Sequence, residues 1–477
     1  MLLKFQTDVP IATDDCFTAP QQNTLLAHLQ RDILFLRQHG VMDAEEPLEQ
    51  VTLATTDKSV QIHVCHSPMR EVEVLHDQLL AMFEQDINLS AKDIVVMMPD
   101  IEKYAPYIQA VFSTQSDETK RIPYSITDRS LRAESPLIDS FFVILEVMQT
   151  RFTTTDVLNI LDREAVQQHF EFTESELELI RHWVEATHIR WGSDAASRQA
   201  MDLAEFSEHT WEHGLQRMLL GYILPAQQES LFADILPYDE IEGQDSLILG
   251  KLADFLEKLF NYAKKLNQPH YLYEWKNILA HLLETFLSTD ETTESQAQTI
   301  RNLLDKLVKN AELAQFNTVV SYEVILAYLR HYLEAEPGTA HFLTGKVTFC
   351  SLLPMRSIPF KIVCLLGMSD RNYPRSHQII SFDLISQVPA KPGDRSRRQN
   401  DRYSFLEALL AARDCFYLSY VGHSIHDNTV IPASVLVSEI LETIETGFLQ
   451  PNSTKNQSNS IVNHIVTHHP MQAFSHR

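Results

Sequence analysis

Apolar positions change period several times along the chain. Near the start, NTLLAHLQRDILFLRQ (Asn23–Gln38) sets Leu25, Leu29, Ile33 and Leu36 on one helical face, with Asn23 as N-cap and Gly40 past the end. From residue 57 the period shortens. Val60, Ile62 and Val64 alternate with Gln61, His63 and Cys65, which predicts a strand. Ser67-Pro68 then supplies an N-cap and an N1 proline for a helix over Met69–Glu84, with Val72, Leu75, Leu79 and Met82 or Phe83 inward. Asp93–Met98 reads as the next strand, stopped by Pro99. Strand alternating with helix is the α/β pattern. Residues 131–340 become helix after helix, as in Ser246–Leu266 with its stripe of Leu252, Phe255, Leu256, Leu259 and Phe260. Glu274–Leu287, Thr299–Leu313 and Tyr322–Ala335 continue in that style. Strand signals return at Val347–Leu353, Lys361–Met368 and Cys415–Val421, and helix-like Asp401–Arg413 lies between the last two.

This order predicts an α/β domain split into 57–130 and 340–440, interrupted by an inserted all-α subdomain at 131–339. Residues 1–56 are expected to be a trailing helical segment of a preceding domain. Residues 441–477, with polar PNSTKNQSNS, are expected to be a linker toward a further domain.

Composition sharpens this picture. Only 12 of 477 residues are glycine, well under the roughly 7% usual in soluble proteins. That excludes glycine-spaced repeat architectures and leaves few loops able to cradle phosphates. The formal net charge is −25, which argues against a protein whose whole surface attracts DNA or an anionic membrane. No apolar run approaches the roughly 20 residues of a membrane span, and the polar start MLLKFQTDVP does not read as a secretory signal. Five scattered cysteines without a C-x-x-C pair fit reduced thiols, hence a cytoplasmic protein.

Several motifs for catalysis fail on inspection. A P-loop needs G-x-x-x-x-G-K-[ST]; Gly243 to Gly250-Lys251 has the wrong spacing and Leu252 where a hydroxyl belongs. Pro99-Asp100 with Glu102-Lys103 is crowded into one strand end, and is read as a strand stop and helix start rather than a metal-dependent nuclease site. His63, Cys65 and His66 resemble metal ligands, but His66 should face away from the other two, so no metal is expected. The twelve acids among residues 200–260 read as a solvated face. One stretch stands out: Arg356–Arg402 holds nine Lys/Arg and four Asp, a local +5, and is densest at GDRSRRQNDR (Gly393–Arg402). Pro389, Pro392 and Gly393 shape it as a loop that leads into a helix. Such ends are where α/β folds place ligand contacts.

Three long strings carry a family resemblance: HVCHSPMREVEVLHDQLLAMFE (His63–Glu84), SIPFKIVCLLGMSDRNYPR (Ser357–Arg375) and GDRSRRQNDRYSFLEALLAARDCFYLSYVG (Gly393–Gly422). They closely resemble the RecC family, gamma subunits of exodeoxyribonuclease V, the RecBCD helicase–nuclease. HIRWG (His188–Gly192) and HTWEHGLQRMLLGY (His209–Tyr222) resemble its helical insertion. The resemblance implies the second RecA-like domain of a superfamily 1 helicase, degenerate, with the helical subdomain inserted. It also implies a central fragment, with a helicase-like half before it and a nuclease-like domain after it.

The motor motifs of active relatives are broken. Where these read H-x-x-K-G-L-E-F, LLPMRSIPF places Leu353, Arg356, Ser357 and Pro359 at the histidine, lysine, glycine and ribose-binding glutamate. A proline side chain accepts no hydrogen bond. Where these read V-A-L-T-R-A, LEALLAAR puts Leu410 and Ala411 at the threonine and the phosphate-contacting arginine, with Arg413 displaced by two positions. The resemblance therefore implies a subunit with no catalytic activity or cofactor of its own. It would hold RecB-like and RecD-like partners, meet double-stranded DNA ends, guide the unwound 3′-tailed single strand and scan it for Chi. Arg356, Arg375, Arg395, Arg397, Arg398 and Arg402 are then candidate phosphate contacts. Asp394 is the candidate acceptor from a base amino group, and Met355 and Tyr373 are candidates to support bases. The rival readings are an ATP-hydrolysing half whose Walker motif lies outside this chain, and a pure assembly scaffold. Outside Arg356–Arg402 the remainder carries −30, so DNA would have to touch an enclosed basic surface.

Overall fold

The structure, a computed structural model, describes residues 17–41, 48–114, 120–224, 231–335, 345–352, 358–375, 396–424, 427–450 and 459–475. The chain divides into two compact units, residues 1–129 with 339–477 and residues 130–338.

The first unit is built on β1 (Val51–Thr52), β2 (Val60–Cys65), β3 (Ile94–Met98), β4 (Tyr124–Ile126), β5 (Val347–Ser351), β6 (Phe360–Leu365), β7 (Ala412–Val421), β8 (Phe448–Leu449) and β9 (Val466–His468). Seven of these form one sheet in the order β4-β5-β3-β6-β7-β2-β9, with every pairing parallel. A parallel sheet covered on both faces needs strands apolar on both faces, and β3 meets that demand. Ile94, Val96 and Met98 pack with Val72, Leu75 and Leu79 of the helix Pro68–Gln85 and with Ile108 and Phe112 of the helix Ile101–Ser113. Val95 and Met97 enter the opposite layer, with Leu25, Leu29, Phe405, Leu409 and Val437. The unit is therefore α/β with a helical layer on each face.

Several boundaries differ from the sequence expectation, each for a local reason. The first helix runs Leu25–Phe35 and is capped by Thr24, whose hydroxyl accepts from the Ala27 N–H, because Asn23 is instead engaged with His28 at 2.8 Å. It ends at Leu36 in the left-handed conformation (φ 52°) rather than at Gly40. It packs on the α/β unit. Leu25, Leu26 and Leu29 are core residues of the α/β unit, and buried Gln30 donates to the carbonyls of Leu409 and Ala412. The expected linker at 441–477 likewise holds ordered elements. The helix Asn459–Ile465 leads into β9, which adds to the sheet edge beside β2. The helix expected over Asp401–Arg413 spans Arg397–Ala411, and Arg413 already belongs to β7.

The second unit is all helical among its described residues, from Leu131–Glu134 to Tyr322–Ala335. Trp183, Trp211 and Trp275 are its largest fully buried side chains. Two buried indoles donate to backbone carbonyls, Trp211 to Phe152 and Trp275 to Val320, each at 2.9 Å. The HIRWG turn is fixed by Arg198, which donates to the carbonyls of Trp191, Phe206 and Glu208 and lies over the Trp191 ring at 4.3 Å. Gly250 sits inside the helix Asp245–Leu266, so no phosphate loop forms there.

Gly221, on the helix Trp211–Ile223, is required by close approach: a Cβ there would lie 1.6 Å from the Tyr238 carbonyl oxygen. Gly221→Ala is expected to lower the stability of this unit by about 1–3 kcal/mol, the usual cost of overpacking. Urea unfolding followed by tryptophan fluorescence checks it, because all four tryptophans lie between residues 183 and 275. No helix among the described residues is long and apolar enough to cross a membrane.

Candidate functional site

Adjacent strands β3 and β6 send their chains to opposite faces of the sheet. After β3, the helix Ile101–Ser113 packs on one layer; after β6, the chain leads to the helix Arg397–Ala411 on the other. Such a switch point opens a crevice beyond the carboxyl ends of the strands, the usual ligand position in an open parallel sheet. A cavity of about 400 Å³ lies there, lined by Lys103, Arg371, Arg375, Arg397, Asp100 and Gly367 among others.

Each wall has a local cause. Asp100 caps the helix after β3, accepting from the Lys103 N–H at 3.2 Å, so the P-D-x-E-K string is a strand stop and helix start as read. Gly367 follows β6 with φ 72°, and a Cβ there would lie 2.9 Å from the Tyr104 hydroxyl. Beneath them, fully buried Glu71 accepts from the Tyr104 hydroxyl at 2.5 Å, the Ser419 hydroxyl at 2.7 Å and the Gly367 N–H at 3.1 Å. Burial raises its carboxyl above the usual range, against the lowering pull of those three donors.

The structure redistributes the expected site residues. Arg375 and Arg397 share the cavity. Arg375 is tied down, however: its backbone N–H and guanidinium donate to Asp401 at 2.8 Å and 2.6 Å, and Asp401 is only 1% exposed. That bond holds the guanidinium pKa above its usual value. Tyr373 corrects the expectation outright. It is 0% exposed and its hydroxyl donates to the Asp401 carbonyl, so it is a core residue and cannot support a base. Arg402 is exposed but paired with Glu439 at 2.7 Å. Arg397 and Arg398 are exposed in the first turn of their helix. Met355, Arg356, Asp394 and Arg395 lie outside the described residues.

Lys103 and Arg371 were missed. Arg371 lies inside the basic stretch and could have been singled out by its position just beyond a strand. Lys103 joins it only through the pairing of β3 with β6, which no local signal announces. His63 is buried, with its ring stacked on Tyr417 and on His469 and its Nδ1 2.7 Å from His469 Nε2. Burial lowers its pKa to about 3. His66 lies past the end of β2, stacked on His423. No group of three His, Cys, Asp or Glu among the described residues is placed to hold a metal.

Fold and crevice together define an open parallel α/β protein with a basic cleft at its strand switch point and a separate helical unit. Residues 134–337, in that helical unit, match the family model for the fourth domain of the RecBCD enzyme subunit RecC. The chain is 40% identical over 440 residues to the RecBCD enzyme subunit RecC of Escherichia coli (strain K12), covering 90% of this chain and 38% of that protein. It is 39% identical over 475 residues to the subunit of Haemophilus influenzae, covering 100% and 40%, and 30% identical over 472 residues to that of Mycobacterium tuberculosis, covering 98% and 41%. Over the length it shares with these relatives, the chain belongs to the RecC family. It spans 38–41% of their length.

Proposed function

We propose that this chain supplies a non-catalytic, DNA-guiding part of a RecBCD-type helicase–nuclease acting in recombinational repair of double-strand breaks. In this reading the α/β unit is a degenerate second motor-like domain of the RecA type, and the helical unit is its inserted subdomain. The complete subunit would work with RecB-like and RecD-like partners in the cytoplasm, leading the 3′-tailed strand past surfaces that scan for Chi.

The single observation that carries this is the collection of basic side chains at the switch point of a chain with net charge −25. The position that would carry a motor's arginine supports the non-catalytic half of the reading. Ala411 is buried, and Arg413 is the second residue of β7, at the amino ends of the strands and away from the crevice. From Arg413 to Tyr420, which lies level with Gly367, that separation is about 23 Å.

The test is charge reversal, Arg397→Glu with Arg398→Glu, in the assembled three-subunit complex. We expect assembly to persist, single-strand affinity to fall about tenfold through loss of phosphate contacts, and the Chi response to weaken. Failed assembly, with unwinding and Chi response unchanged in the complexes that do form, would replace the guiding role by a scaffold. DNA-stimulated ATP hydrolysis by the intact subunit alone would restore the motor reading.

A further inference from the structure

We infer that the cavity between the carboxyl ends of β3 and β6 binds a backbone phosphodiester of single-stranded nucleic acid, with Lys103 and Arg371 as its direct contacts and Arg397 at its rim. This rests on the DNA-guiding reading and deepens it by naming a site on the described surface.

Among the described lining residues, four are cations, Lys103, Arg371, Arg375 and Arg397, against one carboxylate, Asp100. Asp100 caps its helix through Oδ1 and contributes one negative charge, and Asp401 below is paired with Arg375, so the described lining keeps an excess of positive charge at Lys103, Arg371 and Arg397. Glu102, in the first turn after Asp100, points its charge to Arg129 at 3.7 Å. The cations also sit where helix dipoles make them unfavourable. Lys103 is in the first turn of Ile101–Ser113, and Arg397 opens Arg397–Ala411, a helix with no acid in its first turn. A cation at a helix N-terminus is disfavoured by the helix dipole, whereas an anion between two such ends is favoured by both the dipoles and the side chains.

The chemistry of the anion follows from the lining. Guanidinium groups match the geometry of phosphate oxygens. A volume of about 400 Å³ is at the low end for ligand sites, roughly 300–1,000 Å³, and admits a phosphate with its flanking sugars. Pro99 and the buried ring of Tyr104 are the only apolar side chains among the described lining residues, which leaves no slot for a stacked adenine. Asp100 is the one carboxylate among the described lining residues, and with Oδ1 engaged in its cap it disfavours a magnesium–nucleotide complex. The occupant is therefore a phosphate carried on a chain rather than a free nucleotide.

The experiment uses the complete subunit and a fluorescently labelled oligothymidylate, comparing wild type with Lys103→Gln/Arg371→Gln across a salt series. Both side chains are exposed, and an unchanged unfolding midpoint establishes that the double variant folds; Arg371→Gln alone serves as a second variant. Wild type should bind, and the double variant should bind about tenfold more weakly. Its log-affinity against log-salt slope should be shallower by about 1.4, from two lost contacts at roughly 0.7 each on a single strand. Equal affinity and slope in the two proteins would overturn the cavity assignment while leaving DNA guiding intact. No binding by wild type would overturn the guiding reading itself. A third arm measures thermal shift with inorganic phosphate and with ATP. A shift that depends on Lys103 and Arg371, with oligothymidylate binding unaffected by the substitutions, would make the cavity a free-anion site and overturn the phosphodiester assignment.

Discussion

Glu71→Ala should destabilise the α/β unit by about 3–5 kcal/mol, the cost of stranding three buried hydrogen-bond donors. Its carboxylate is the joint of four elements: the helix Pro68–Gln85 that carries it, the Tyr104 hydroxyl from the helix after β3, the Gly367 N–H beyond β6 and the Ser419 hydroxyl on β7. Alanine leaves all three donors buried without an acceptor, each at about 1–3 kcal/mol. Glu71→Gln should cost much less, because an amide oxygen still accepts and the tyrosine hydroxyl can turn to accept from the amide nitrogen. The sign of the pH effect is fixed by direction. Glu71 has a folded pKa raised above its ordinary 4.5, so the folded state binds the proton more tightly than the unfolded chain. Its contribution is fully present below that value and is lost as pH rises from there through the folded pKa. The stability of wild type relative to Glu71→Gln should therefore fall as pH rises from 4.5 through the raised folded pKa. Tryptophan fluorescence is blind here, since every tryptophan belongs to the helical unit. Hydrogen exchange of the Gly367 and β3 amides is the measurement. Exchange in Glu71→Ala no faster than in wild type would contradict the assignment of Glu71 as this joint.

What was legible in the sequence follows from how local each signal is. Val60–Cys65 was read to the residue because strict alternation and Ser67-Pro68 bracket it. The helix at Tyr322–Ala335 was also read at its observed bounds. Caps and ends were less legible: Thr24 beside Asn23 offers an equally good N-cap, and only the capture of Asn23 by His28 decides between them. The first helix looked orphaned because its partners, Leu409 and Ala412, lie almost four hundred residues away. The candidate site shows the same division. A run of arginines is visible as a local charge. Whether each arginine faces solvent depends on a partner such as Asp401 or Glu439, which only the fold supplies. Tyr373 was misread for that reason: between a basic loop and a glycine-poor chain it looks like a stacking residue, yet the chain beyond β6 turns it into the core. The switch-point crevice was not legible, because it requires β3 and β6 to be neighbours across the whole helical unit.

Arg375 carries the second large effect. Asp401 is 1% exposed while Arg375 keeps 23% of its side chain in contact with solvent, so the two ends of their ion pair are not equivalent. Removing Asp401 leaves a guanidinium that can swing into the cavity and hydrate; removing Arg375 leaves a carboxylate that cannot reach water. Arg375→Met should therefore cost about 3–5 kcal/mol, the full penalty of a stranded buried charge. Asp401→Asn, which keeps an acceptor for the Arg375 N–H, should cost about 1–2 kcal/mol. The double variant should recover part of the loss, giving a coupling of about 1–3 kcal/mol in a mutant cycle followed by hydrogen exchange of the helix Arg397–Ala411. Equal costs for the two single variants, or strict additivity, would mean that the 2.6 Å contact does not organise this corner. The asymmetry also governs how DNA binding must be read. Loss of binding in Arg375→Met would follow from a collapsed helix N-terminus carrying Arg397 as readily as from a lost phosphate contact. Lys103 and Arg371, which hold nothing else in place among the described residues, are the positions at which phosphate binding and folding separate.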